Sequence, residues 1–316
     1  MESTTSMKSS ALSDATAIVA DSGATKTTWQ SIDGTFKYNS AGINPLTHPE
    51  AAIRDTLKGV ANACGDRKVE TLFYYGSGCN PAGKRIMNSL LGEYFPEALT
   101  NVESDMLGAC RALCGCTNGV VGILGTGSNS CIYNGISITR QGCSGGYLLG
   151  DEGSAYSIGK QVILNMLRGL LPEEVAHETE QNYNIDRDKL LEKIYSTKSP
   201  NRYIASFSQV ATMHRDLPIM QSIIRQSLNS FVINQILPLS IIADTKSVYL
   251  AGSVAAACQE ELQEACNYHG MNIVNIIQSP IEELCKYHST QPAQAMHNTV
   301  GQPDSGKKGC FFSNNK

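Results

Sequence analysis

One pattern occurs twice in the first half of the chain, and it limits the folds that the chain can adopt. Residues 16–40 read as a buried strand, the tight turn DSGATK, a second strand, an Asp-Gly turn and a third strand. Residues 119–140 repeat this order, with GTGSN as the first turn and an Asn-Gly pair as the second. A duplicated hairpin unit that leads each time into α/β segments predicts two similar domains that face each other across a cleft.

The segments between and after the hairpins alternate helical and strand patterns. Apolar residues at helical spacing follow Pro49, a strand is expected at 71–78, a helix at 83–94 and a strand at 100–103, which ends just before Asp105. Helices are expected to dominate residues 153–240, and residues 248–265 read as a strand, a glycine turn and a helix.

This organisation predicts two domains. The first comprises residues 15–107 and is completed by a C-terminal helix near 274–290, and the second comprises 108–273. The end segments 1–14 and 291–316 are polar and aperiodic, so we expect both to be disordered tails.

Charge and hydropathy narrow the class of partner. The formal net charge is -4, the sequence pI is about 5.9, and Lys and Arg are scattered, so no footprint for nucleic acid or an acidic membrane surface is seen. Neither a secretory signal pattern nor a run of eighteen apolar residues occurs. We therefore expect a cytoplasmic protein with small-molecule partners, and a homodimer remains open.

A cluster of three cysteines invites a metal-site interpretation. Cys110, Cys114 and Cys116 do not have the spacing of a zinc-binding pair, and no second Cys or His cluster follows at a workable distance. The spacing favours small residues that pack on one face of a helix.

The first turn, DSGATK, has three interpretations. The letters Asp-Ser-Gly-Ala resemble the loop of an aspartic protease, but that mechanism needs two such loops, and the other Asp-Ser-Gly lies in the polar tail. A plain hairpin turn is a second interpretation. The third is a cradle for phosphates, in which Asp21 holds Mg²⁺, Lys26 adds charge and the backbone converges on an anion at Gly23, Ala24, Thr25 and Thr27.

Three further segments favour the phosphate cradle. GTGSN at 125–129 offers a second glycine turn, GGYLLGDEGSAYSIG at 145–159 places two acidic residues before a helix, and LAGSVA at 250–255 offers a third turn. Neither the P-loop pattern nor the dinucleotide-binding glycine pattern is present. Together these segments predict a nucleotide-binding cleft.

With these motifs, residues 16–290 resemble the N-acetylglucosamine kinases and their BadF/BadG/BcrA/BcrD-type relatives in the actin-like ATPase superfamily. IVADSGATKT is similar to the first phosphate motif of that family, GILGTGSNS to the second and LAGSVA to the adenosine motif. GGYLLGDEGSAYSIG is the most specific match. The resemblance implies an α/β fold of two ribonuclease-H-like (actin-like ATPase) domains around an interdomain cleft.

The resemblance also implies roles for individual residues. Asp105 is expected to be the catalytic base that takes the proton from the 6-hydroxyl of the sugar. ATP phosphates are expected at Gly23, Ala24, Thr25, Lys26, Thr27, Gly125, Thr126, Gly127 and Ser128, adenosine at Gly252 and Ser253, Mg²⁺ at Asp21, and the sugar at Asn44, Asp105, Thr126, Gly145, Gly146 and Asp151.

The sequence therefore predicts an ATP- and Mg²⁺-dependent sugar kinase that phosphorylates an amino sugar, with N-acetylglucosamine as the expected substrate. Two rivals stay open: an ATPase that activates a 2-hydroxyacyl-CoA dehydratase, and a non-catalytic sugar or ATP sensor. At the level of single residues, Asp105 could be an ordinary helix cap, and so could Asp151 and Glu152.

Overall fold

A computed structural model of the chain describes residues 15–23 and 25–290. The predicted tails and Ala24 lie outside the described residues. The described residues divide into two compact units: unit 1 contains those up to Asp105 together with 284–290, and unit 2 runs from Met106 to Glu283.

Unit 1 is built on a five-stranded mixed sheet. The elements of this unit are β1 (Ala15–Ser22), β2 (Lys26–Ser31), β3 (Lys37–Ala41), α1 (Glu50–Cys64), β4 (Lys68–Gly76), α2 (Pro81–Tyr94) and β5 (Leu99–Ser104). The strands lie in the order β3-β2-β1-β4-β5. β1 pairs antiparallel with β2 and parallel with β4, β2 pairs antiparallel with β3, and β4 pairs parallel with β5.

Two helices cover one face of this sheet with apolar stripes. α1 buries Ile53, Leu57, Val60 and Cys64, the i, i+4, i+7 and i+11 positions of a helical face. α2 starts at Pro81, whose missing N–H costs nothing in the first turn, and the Asn80 side chain accepts hydrogen bonds from the next two backbone N–H groups. The helices pack on a core that includes Ile18, Trp29, Leu72 and Tyr74.

Unit 2 repeats the same sheet topology. Its strands are β6 (Asn118–Leu124), β7 (Ser128–Asn134), β8 (Ile138–Gln141), β9 (Ser247–Ala251) and β10 (Asn272–Ile277). They lie in the order β10-β9-β6-β7-β8, and β6 pairs antiparallel with β7 and parallel with β9, as β1 does with β2 and β4. The two matching sheets confirm the predicted fold class of two ribonuclease-H-like domains.

Helices fill the chain between β8 and β9, as the sequence predicts. A π-helical turn (Val232–Ile236) interrupts this stretch. A further helix, α3 (Asp105–Cys114), precedes β6 and leads into unit 2. The other helices before β9 are α4 (Gly146–Leu149), α5 (Ala155–Leu167), α6 (Glu173–Tyr183), α7 (Leu190–Ser196), α8 (Pro200–Ser206), α9 (Ser208–Met213), α10 (Pro218–Phe231) and α11 (Leu237–Ala243), with a short 3₁₀ turn at Arg187–Lys189.

The chain after β9 differs in two places from the sequence-based expectation. The predicted single helix is divided into α12 (Ser253–Ala257) and α13 (Gln259–Tyr268), and the expected helix near 274–290 starts only at Ile281, as α14 (Ile281–Thr290). Residues 272–277 form β10 because their backbone pairs in parallel with β9.

The last helix is held on the unit 1 sheet by an aromatic contact. The ring of His288 stacks on Phe73 with centroids 3.6 Å apart, and its Nε2 lies 2.8 Å from the hydroxyl of Tyr75. His288 and Tyr75 are both buried. No helix among residues 15–23 and 25–290 is long and apolar enough to cross a membrane.

Candidate active site

Two predicted acidic residues lie at one edge of the unit 1 sheet. β1, β4 and β5 run parallel, so their carboxyl ends meet at the same edge. Asp21 is the next-to-last residue of β1, and Asp105 follows β5 directly as the first residue of α3. The topology thus brings together two carboxylates that are far apart in the sequence.

The electrostatics of a buried tyrosine report on this edge. Tyr74 on β4 is fully buried, and burial is the main reason that the pKa of its hydroxyl lies far above the ordinary value. The negative charges of Asp105 and Asp21 raise that pKa further. Burial, assisted by Asp105, also raises the pKa of the Cys79 thiol to about 12. Both carboxylates therefore act on the same small region of unit 1.

Asn44, the predicted sugar-binding residue, lies in the loop after β3. Its side-chain Oδ1 accepts a hydrogen bond from the backbone N–H of Leu46 at 3.0 Å, and its backbone N–H donates to Nδ1 of His48 at 3.3 Å. The side chain packs over Gly78, where a Cβ would stand only 2.3 Å from Oδ1. The loop after β3 and the loop after β4 therefore meet at Asn44.

The predicted first phosphate turn is a tight hairpin. The N–H of Gly23 donates to the carbonyl of Lys26 at 3.0 Å. The hydroxyl of Thr27 is buried, lies 2.7 Å from Oγ of Ser22 and donates to the carbonyl of Ala41 at 3.1 Å, so it braces the hairpin from inside. Thr25 and Lys26 are exposed at the turn. These two residues therefore present the polar surface of the turn.

The predicted second phosphate turn, GTGSN, is fixed by its neighbours in unit 2. The N–H of Gly125 donates to the carbonyl of Gly127 at 2.9 Å, and the carbonyls of Gly125 and Thr126 accept the N–H groups of Ala155 and Tyr156. These bonds fasten the turn to the start of α5. Within the described part of the chain, the N–H groups of Thr126 and Gly127 make no hydrogen bond.

Asp151 connects this turn to the predicted sugar segment. One carboxylate oxygen accepts the N–H of Ser128 at 3.0 Å, and a Cβ at Gly127 would stand 2.8 Å from the other. Burial is the main cause of a raised pKa for Asp151, with a smaller contribution from Glu152, while the Ser128 bond lowers it. The N–H of Ser128 is thus already occupied by a side chain.

Two glycines of the predicted sugar segment allow its backbone to adopt a left-handed conformation. Gly145 and Gly146 are exposed and have φ of 64° and 61°, in the left-handed region that favours glycine. The segment closes on itself where the N–H of Asp151 donates to the carbonyl of Ser144 at 3.1 Å. Gly145, Gly146 and Asp151 therefore belong to one compact loop.

The predicted adenosine turn lies against the second phosphate turn. Gly252, with φ of 117°, follows β9, and a Cβ there would stand 2.2 Å from the carbonyl oxygen of Leu124. Ser253 begins α12. Since Leu124 precedes GTGSN directly, the two turns share the carboxyl ends of β6 and β9.

Sequence reasoning missed several residues of these two edges. Tyr74 and Gly78 belong to an ordinary strand and turn pattern. Nothing local in the sequence marks Gln235, whose side-chain amide donates to Cys143 and Glu152 at the ends of the predicted sugar segment.

Two of the three clustered cysteines belong to a core: Cys110 and Cys114 are buried on α3, and the sulfur of Cys110 lies 3.3 Å from that of Cys131. Cys116 lies beyond the end of α3 and is only half-buried, so the expected packing on one helix face does not include it. Among the described residues, no group of three or more His, Cys, Asp or Glu could hold a metal ion.

Comparison with known proteins identifies the family. A Porphyromonas gingivalis protein of known structure, provisionally named an N-acetylglucosamine kinase, is 33% identical to this chain; the match covers 87% of this chain and 99% of that protein, with a TM-score of 0.81. This chain belongs to the N-acetylglucosamine kinase family. The TM-score shows that the chain and this relative share one fold.

A second structure of the same provisional name, from Chromobacterium violaceum, is 15% identical over 86% of this chain and 98% of its own, with a TM-score of 0.62. At that identity it supports the fold alone. No family model matches the chain. No curated protein matches it either.

Proposed function

We propose that this chain is an ATP-dependent sugar kinase that transfers the γ-phosphoryl group of ATP to the 6-hydroxyl of an amino sugar, with N-acetylglucosamine as the expected substrate. The observation that carries the proposal is the pair of carboxylates, Asp21 and Asp105, at one edge of the unit 1 sheet in a member of this family. The family relative of 33% identity carries a kinase name, which supports the same reaction class.

Phosphoryl transfer needs positioning, charge stabilisation and a base near the attacking hydroxyl. In our proposal Asp105 accepts the proton of the sugar 6-hydroxyl as the oxygen forms its bond to the γ-phosphorus and the bond to the β-phosphate oxygen breaks. The place of Asp105 at the start of a helix also suits this role, because the positive end of the helix favours a carboxylate.

The nucleotide is assigned to the glycine turns. Exposed Lys26 and Thr25 and the N–H groups of Thr126 and Gly127 are suited to phosphate oxygens. Gly252 and Ser253, at the junction of β9 and α12, are assigned to the adenosine. A carboxylate such as Asp21 suits Mg²⁺, which would neutralise charge on the phosphates. The sugar is assigned to Asn44, Asp105, Thr126, Gly145, Gly146 and Asp151.

The first experiment is an ADP-release assay with glucosamine, N-acetylglucosamine, N-acetylmannosamine and a muramyl-type amino sugar, with ³¹P NMR of the product to find the phosphorylated position. We expect turnover with N-acetylglucosamine and a 6-phosphate product. ADP release that no sugar stimulates would favour the ATPase activator, and binding without ADP release would favour the sensor.

The second experiment tests the base. Asp105→Asn keeps the shape of the side chain and removes its ability to take a proton, so kcat should fall by about 10²- to 10⁴-fold while ATP affinity changes little. Asp55→Asn makes the same chemical change on the exposed side of α1 and is the matched control. If Asp105 is only a helix cap, Asn replaces it well, and both kcat and melting temperature should survive.

A further inference from the structure

The long helical stretch before β9 contains a local irregularity. Between α10 and α11 the N–H of Leu237 donates to the carbonyl of Val232, five residues back, so the helix widens by one residue at Val232–Ile236. Pro238 follows and has no N–H to continue the ordinary ladder, which explains the change of spacing. Such π turns are frequent at functional sites.

The π turn directs one polar side chain, that of Gln235, into the protein. Gln235 is 4% exposed, whereas its neighbour Asn234 is exposed. The Gln235 amide nitrogen donates to the carbonyl of Cys143 at 2.7 Å and to a carboxylate oxygen of Glu152 at 3.2 Å. Its amide oxygen accepts the hydroxyl of Ser130 at 3.2 Å. Both donors and one acceptor position of the amide are therefore in use.

Cys143 and Glu152 stand on either side of the predicted sugar loop, residues 144–151. Gln235 thus holds both ends of the loop with one NH₂ group. Within the loop, the N–H of Asp151 donates to the carbonyl of Ser144 and so joins the two ends of the loop. The carboxylate of Asp151 in turn accepts a hydrogen bond from the N–H of Ser128. Hydrogen bonds, together with the short stretches of chain between them, therefore connect Gln235 through this loop to the GTGSN turn.

The packing leaves little room for another arrangement. A Cβ at Gly142 would stand 2.2 Å from Oγ of Ser130 and 3.1 Å from Oε1 of Gln235, so the entry to the loop lies directly on this network. Since the loop itself is exposed at Gly145 and Gly146, its contacts at the base decide where its tip lies.

We propose that Gln235 is a positioning residue: it sets the conformation of the 144–151 loop and, through Asp151, of the GTGSN turn, and so controls sugar affinity without contacting the sugar. The part that concerns sugar affinity rests on the proposed kinase function. The simpler alternative is a buried amide that contributes only to overall stability.

The test compares Gln235→Met with Asn234→Met. Both replace an amide by the same apolar side chain in the same π turn, but only the first removes the contacts to Cys143 and Glu152. We expect amide hydrogen exchange in peptides spanning 142–153 and 125–130 to become at least about tenfold faster in Gln235→Met alone, because the loop loses its anchor. The KM for the sugar should rise by about 10- to 100-fold, more than the KM for ATP.

Two results would overturn the proposal. In the first, amide exchange in Gln235→Met equals that in Asn234→Met. In the second, Gln235→Met exchanges faster throughout unit 2 to the same extent, with no larger effect in these two peptides. If the parent protein phosphorylates no sugar, the kinase proposal fails, yet the exchange measurement still decides whether Gln235 holds the loop. The two failures are thus distinguishable.

A second pair of variants covers poor folding of Gln235→Met. Gln235→Glu keeps the size but cannot donate to Cys143, and it sets a second carboxylate beside Glu152, so the loop should loosen. Adding Glu152→Gln exchanges the two groups, so that the amide at position 152 can donate to the carboxylate at position 235. The double variant should therefore have slower amide exchange in the loop and a lower sugar KM than Gln235→Glu alone. Absence of any recovery in the double variant would contradict a direct Gln235–Glu152 contact.

Discussion

Replacing Gly78 by alanine offers a test of the sugar-side geometry in unit 1. Gly78 has φ of 77°, and its new methyl group would stand 2.3 Å from Oδ1 of Asn44, too close for any real contact. Gly34 has nearly the same backbone, with φ of 76°, but nothing lies within 4 Å of its Cβ position. Gly34→Ala therefore carries the backbone strain without the collision.

The difference between the two variants can be worked out from these contacts. An L-residue in the left-handed conformation costs about 1–2 kcal/mol of unfolding free energy, and both variants should lose that amount. In Gly78→Ala the side chain of Asn44 must also rotate and give up its 3.0 Å bond to the N–H of Leu46, which costs about 0.5–1.5 kcal/mol more. The larger effect concerns function, because the displaced side chain is the predicted sugar ligand.

The assay is a chemical denaturation curve together with sugar and ATP kinetics for both variants. We expect Gly34→Ala to keep the parental sugar KM, and Gly78→Ala to raise it about tenfold, equivalent to about 1.4 kcal/mol, with little change in the KM for ATP. Equal sugar KM values in the two variants, with Gly78→Ala still folded, would refute the assignment of Asn44 to the sugar.

Two further predictions concern single carboxylates. Asp21→Asn should lower turnover with Mg²⁺ and ATP by at least about tenfold at an unchanged melting temperature, because an amide binds the cation weakly; near-parental activity across a Mg²⁺ titration would remove Asp21 from the metal site. The hydroxyl of Ser31, with smaller contributions from Thr35, holds the pKa of Asp33 below its ordinary value of 3.8. Ionised Asp33 therefore stabilises the fold above pH 3.8, and this stability is lost as the pH falls below that value. Asp33→Asn should therefore have a flatter melting temperature between pH 5 and pH 2.5 than the parent, and identical curves would show that the turn does not contribute.

The fold could be predicted because its signals are local. Each hairpin has apolar strands separated by a turn whose residues fit its geometry, such as Gly34 and Gly135, which both have positive φ. The duplication then gives the architecture, since the second copy confirms the interpretation of the first. β10 was missed because its side chains are mostly exposed or half-buried, as expected at a sheet edge, and its only strong determinant is the pairing with β9.

The sequence indicates which chain positions to assign to the candidate site, but it does not indicate their contacts. A glycine in a turn is visible in the sequence, but the partner of each backbone N–H is not. Thr27 illustrates this: its backbone was expected near phosphates, and its hydroxyl lies buried under the hairpin, where it donates to the carbonyl of Ala41. The bonds of Gln235 join residues more than eighty positions apart, which no local pattern contains.

These long-range contacts change how the acidic loop residue is understood. A carboxylate aimed only at a sugar would be free to move with the exposed loop, but one oxygen of Asp151 is held by the N–H of Ser128, and its partial burial raises its pKa. A group tied in this way moves only when the GTGSN turn moves. The 144–151 loop and the GTGSN turn should therefore respond together, whether sugar or ATP binds. We expect ATP alone to slow amide exchange at Gly150 and Asp151 as well as at Ser128. If ATP protected only the GTGSN turn and left the loop unchanged, the Asp151 bond would not couple them.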